Sequence, residues 1–186
     1  VFSTTVQDTD GDGLLDIWES SQTPLTDPNG VALPLLSKMG ASPTVKDLFI
    51  QIDFMTSNGY STPLGVVGPH SHMPSKAALD KVGDAFKNAP AAPNGQGPIN
   101  IHFDVGANYQ GDPYVVPAAY ALGGKAIPET DCRVTGETCQ FPDYPGTVGW
   151  KAGFQKIKLT NFDNSRKDIF HWNLWAHNAG RPVGTT

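Results

Sequence analysis

Asp8, Asp10, Asp12, Asp16 and Glu19 occupy positions 1, 3, 5, 9 and 12 of a twelve-residue stretch, with Gly13 at position 6 and Leu14 at position 7. That is the ligand spacing of an EF-hand-like calcium loop. Calcium is a hard ion that takes roughly six to eight oxygens. On this reading Asp8, Asp10 and Asp12 give carboxylates, Leu14 gives its carbonyl, Asp16 acts through a water and Glu19 reaches across with both oxygens. Without a cation, five carboxylates in twelve residues repel one another. The alternative is an acidic solvated turn, which has no need of a carboxylate at every one of these positions. Seven residues precede Asp8, too few for a full entering helix, and no second loop follows. A structural clamp is therefore expected rather than a regulatory switch.

Histidines make the second group. His70 and His72, two apart, would point the same way on an extended segment, which suits a metal. His102 and Asp104 project from one face of a strand and, with Asp53, could meet them at the carboxyl ends of a sheet. The competing reading is a buried polar network that holds a long loop to the sheet, and it is the preferred one. Asp53 is likewise read first as an acceptor for a neighbouring loop. His171 and His177 lie too far apart on a strand to share an ion. Ser71 stands beside two histidines, but no Gly-x-Ser-x-Gly elbow accompanies it, and the chain contains no His-Glu-x-x-His.

These groups need elements to position them. Asp47–Met55 alternates Leu48, Ile50, Ile52 and Phe54 against Phe49, Gln51, Asp53 and Met55, the pattern of a central strand. Ser75 can cap a helix running to Asn88, with Leu79, Val82, Phe86, Ala78 and Ala85 inward. Ile99–Val105 is a second strand. Strand, helix and strand within residues 46–106 predict a right-handed crossover with parallel strands. Phe154–Thr160 is expected as a further strand, and Phe170–His177 as a strand in preference to a helix. The expected class is α/β (α+β), a mixed sheet with long loops, forming one domain or part of one across 1–186.

Nearly one residue in five is Gly (20) or Pro (16), which points to many turns around a modest regular core. The net charge is -5 and the thirteen Lys and Arg are scattered, so no surface suits nucleic acid or an anionic membrane. No run of apolar residues is long enough to span a bilayer, and no signal peptide is recognised at the N-terminus; a mature secreted form would read the same way. Cys132 and Cys139 close an eight-residue loop within a surface excursion at 125–149. A disulfide is expected there, with two free thiols as the alternative. The disulfide and the calcium loop both favour an extracellular setting.

Four blocks in order resemble the N-terminal half of secreted, zinc-dependent metallopeptidase-like proteins of the zincin type. These are Asp8–Glu19; Lys46–Asp53; His70–Pro74 with the alanine-rich helix after it; and Gly97–Gly106, which carries an inserted Pro98. Phe170–His177 resembles the strand that precedes the active-site part of that family. The resemblance implies a parent enzyme that hydrolyses peptide bonds with Zn2+ held on a His-Glu-x-x-His helix further along. No catalytic residue carries over to this chain, because that helix is not in it. Its implied partner is a C-terminal catalytic chain of the same precursor, and an apolar sheet face is expected to await it. The second reading is a non-catalytic, calcium-stabilised extracellular module that binds a protein or peptide.

Overall fold

The computed structural model describes residues 6–62, 65–90, 97–129 and 150–176. The cysteine loop with Cys132 and Cys139, most of the 125–149 excursion, and His177 lie outside them. The fold is organised around one strand, β1 (Asp47–Ser57), whose eleven residues are long enough to take two neighbours in series along each edge. β5 (Asn100–Asp104) pairs parallel with Asp47–Gln51, and β6 (Ala126–Pro128) pairs parallel with Phe54–Thr56. Both lie on the edge formed by even-numbered backbone groups: Lys46 O, Ile52 O and Thr56 O accept from Asn100, Gly124 and Glu129, and Phe54 N donates to Lys125 O. β7 (Phe170–Trp175) pairs parallel with Phe49–Phe54 and must take the opposite edge. There β4 (His70–Ser71) continues antiparallel along Thr56–Ser57. The result is a five-stranded open mixed sheet, with a separate hairpin of β2 (Tyr60–Thr62) and β3 (Gly65–Val67).

Both faces of the sheet are covered, as expected of parallel strands. On the even face Leu48, Ile50 and Ile52 pack with Ile101 and Phe103 under α2 (Lys76–Lys87). The parallel strand-helix-strand connection therefore stands, and Ser75 caps α2 by accepting from Ala78 N. The inward stripe differs from expectation. Leu79 and Gly83 are buried and Phe86 is half-buried, whereas Val82 and Ala85 are exposed. The spacing 79, 83, 86 is the true helical face, and Gly83 belongs to it because the Tyr114 ring lies directly against it.

On the odd face Phe49 and Phe170 pack with Leu14, Leu33, Leu36 and Met39, which fastens the N-terminal segment to the sheet. Farther along, Met55, Ile127 and Trp172 pack against Ile157 of α3 (Trp150–Asn161). The strand expected over Phe154–Thr160 is thus a helix. Phe154 and Ile157, three apart, face the sheet, while Leu159 points to solvent and merely mimicked an alternation. Helix α3 also covers sheet that was expected to lie bare. The 170–175 strand does alternate as read, with Phe170 and Trp172 buried and His171, Asn173 and Trp175 exposed.

Candidate metal centre

The acidic loop folds around its own backbone. Asp8 accepts from Gly11 N at 2.8 Å and Gly13 N at 3.1 Å, Asp10 from Asp12 N at 3.2 Å, and Asp12 from Leu14 N at 2.7 Å. These bonds turn the chain so tightly that Gly13 sits at φ +96°, a conformation that favours glycine. A short helix, α1 (Asp16–Ser20), follows and carries Glu19 back beneath the loop. Glu19 is the buried member of this helix, 1% exposed, while Trp18 packs partly buried against the cluster of Leu14 and Phe49.

That burial defines the centre. Neither carboxylate oxygen of Glu19 has a hydrogen-bond partner, and Asp10 Oδ2 is also buried without one. A fully buried, unpaired carboxylate is among the costliest groups a fold can hold. Burial pushes the Glu19 carboxyl up to about 8, helped by the negative charges of Asp12 and Asp10. Burial, then Asp12, also raises Asp10. Asp8, Asp10 and Asp12 can offer three oxygens to one ion, and Asp12, Glu19 and Asp47 form a second triad that shares Asp12. Asp16 joins neither triad. Its two oxygens accept from Thr9 N at 2.8 Å and Thr9 Oγ1 at 2.7 Å, so it shapes the loop from outside.

Asp47, the first residue of β1, is the ligand candidate that sequence spacing missed, because it lies thirty-five residues beyond Asp12 and belongs to another element. Its backbone N–H donates to Asp12 Oδ2 at 2.7 Å, while Lys46 Nζ donates to the carbonyls of Asp10 and Gly11 at 2.5 and 2.6 Å. The Asp47 carboxylate is itself held by Ser42 N at 2.7 Å and by His102 Nε2 at 2.6 Å. His102 stacks on Phe49 with ring centroids 4.4 Å apart. His102 therefore stands behind the acidic centre, in the position of an outer partner that fixes a ligand's orientation.

The cluster of His70, His72, Asp53, His102 and Asp104 does not form. Asp104 pairs with buried Arg166 and accepts from Leu122 N at 2.7 Å and Gly123 N at 2.9 Å. Asp53 accepts from Lys125 N at 2.9 Å and Trp172 Nε1 at 2.6 Å. Both hold the 121–125 segment to the sheet, which is the network reading. Gly123 and Gly124 allow the close approach: a Cβ on Gly124 would lie 2.2 Å from Val105 O. His70 and His72 meet Glu129 instead, with Nε2 to carboxylate distances of 3.3 and 2.7 Å.

Comparison with protein-family models, with curated proteins and with solved structures finds no match for this chain. Among the described residues no helix is long and apolar enough to cross a membrane.

Proposed function

We propose that this chain is the calcium-clamped front part of a secreted zinc metallopeptidase-like protein, its Ca2+ held by Asp8, Asp10, Asp12, Glu19 and Asp47. The observation that carries the calcium assignment is the Glu19 carboxylate, buried with both oxygens unpartnered among other carboxylates. All the side-chain donors are hard oxygens, which suits Ca2+ rather than a softer metal. Bound there, the ion neutralises the repulsion and ties residues 8–19 to the start of β1. Isothermal titration of the full chain tests the site: one calcium per chain is expected, and Asp12→Ala should abolish it because Asp12 serves both triads. Undiminished binding to that variant would refute the assignment.

The peptidase part of the proposal rests on the four sequence blocks. It is supported by β7, which has β1 on one side and, among the described residues, no strand on the other. This chain has no His-Glu-x-x-His and would not hydrolyse peptides by that mechanism itself. Native mass spectrometry of the protein from its natural source tests the reading. A parent or companion chain carrying the zinc-binding helix is expected, and its absence would contradict the proposal. One observation favours the second reading, a self-sufficient extracellular binding module. Helix α3 already packs on the sheet face near Met55 and Trp172, so that region has no need of a catalytic helix to cover it.

A further inference from the structure

A second metal centre lies at the opposite end of β1 from the acidic loop. At its carboxyl end β1 is flanked on one edge by β4, which brings His70 and then His72, and on the other by the residue after β6, Glu129. His72 N donates to Met55 O at 2.9 Å, and Glu129 N donates to Thr56 O at 2.7 Å, so both backbones are fixed to the same strand. Strand alternation then sends His70, His72 and Glu129 to the face that carries Met55 and Ile127. Their donor atoms all lie within 4.8 Å of one another.

The hydrogen bonding of His70 tells what the cluster can bind. Its Nδ1 lies 2.9 Å from the carbonyl of Gly68, which can only accept, so Nδ1 carries the proton. A neutral His70 then presents an Nε2 lone pair to Glu129 Oε2 at 3.3 Å, while His72 Nε2 approaches Oε1 at 2.7 Å. A neutral His72 can donate from Nε2 to Glu129, whereas His70, its proton on Nδ1, turns a lone pair toward a carboxylate that also only accepts. A metal ion held between them would take a lone pair from each. Zinc bonds of about 2.0–2.1 Å space tetrahedral donors about 3.3 Å apart, close to the His70–Glu129 separation. The Gly68 carbonyl bond is the outer contact that ligating imidazoles ordinarily make.

We propose that His70, His72 and Glu129 form a zinc site, separate from the acidic loop and independent of its calcium. Two imidazoles and one carboxylate select Zn2+ over Ca2+ and Mg2+. Among the described residues these three are the donors, and their side chains remain partly exposed. The ion joins the two edges of β1 where its parallel strands end. None of its ligands comes from a His-Glu-x-x-His helix, so the site stands whether or not the parent is a peptidase.

The test is zinc binding by the full chain, stripped with chelator and dialysed against Zn2+ in the presence of excess Ca2+, with Co2+ as a spectroscopic substitute. Expected are one zinc retained per chain and a tetrahedral Co2+ spectrum. His70→Ala, His72→Ala and Glu129→Gln should each weaken zinc by at least ~100-fold, at the top of or beyond what loss of an outer partner costs. They should leave calcium stoichiometry unchanged, and His171→Ala, on the exposed side of β7, should change neither ion. Glu129→Gln conserves volume and carries the test if a histidine variant misfolds. Failure to retain zinc, displacement of zinc by calcium, or full affinity in Glu129→Gln would each overturn the proposal.

Discussion

At the scale of single residues, Glu19 decides most. In calcium-free protein its carboxyl titrates at about 8 when folded, against 4.5 ordinarily. The unfolded chain therefore releases this proton at a lower pH than the folded chain, and between those values the folded state binds more protons. Stability must fall as pH rises through that window, by at most about 1.4 kcal/mol per unit, and then level off. Urea unfolding in chelator between about pH 5 and 8 checks this, and Glu19→Gln should flatten the profile. A slope unchanged in the variant would place its origin elsewhere. Much of this centre was legible in the sequence, since the spacing of Asp8, Asp10, Asp12 and Glu19 is local. Asp47 was not legible, because its proximity is created by docking of the loop onto β1 through Lys46 and the Asp47 N–H. Glu129 was hidden for the same reason: it reaches His70 and His72 only because β4 and β6 flank the same strand end.

At the scale of elements, packing and propensity can be set against each other in α2. Gly83 is a poor helix former, and alanine there would gain about 1 kcal/mol from propensity alone. A Cβ at that position would lie 2.4 Å from the Tyr114 ring, however, and Tyr114 is tethered through its hydroxyl to Asp84 at 2.7 Å. Overpacking of this kind costs about 1–3 kcal/mol, so Gly83→Ala should destabilise despite its propensity, as denaturant midpoints would reveal. The opposite sign would mean that Tyr114 swings away freely. Arg166, in the turn that precedes β7, pairs with buried Asp104 of β5. Arg166→Met leaves buried Asp104 with backbone N–H partners only and no opposite charge, and should cost about 3–5 kcal/mol by denaturant unfolding. The elements themselves were largely readable, because β1, β5 and β7 alternate with a period of two and Ser75 marks the start of α2, although the inward stripe of α2 was misplaced at Val82 and Ala85. Residues 154–160 misled because Phe154, Ile157 and Leu159 fit neither period cleanly, and only the sheet shows which of them are inward.

At the scale of the molecule, β1 works as a spine with a proposed ion at each end. The acidic centre lies where β1 begins, at Asp47, and the His70–His72–Glu129 cluster lies where it ends, beside Ser57. Loop-rich chains with modest cores gain from such ligands, since an ion that binds only the folded state stabilises it by mass action. Calcium at Glu19 is proposed to clamp the N-terminal loop to this spine. The most direct test is thermal unfolding of the wild-type chain and of Glu19→Gln, each in calcium and in chelator. Free calcium at about 100-fold over the dissociation constant should stabilise the wild type by about 2.7 kcal/mol, a rise of about 5–10 °C for a chain of this length. Glu19→Gln should lose that rise while its calcium-free form melts above calcium-free wild type. Equal melting of the wild type in both conditions, or an undiminished rise in the variant, would contradict the account.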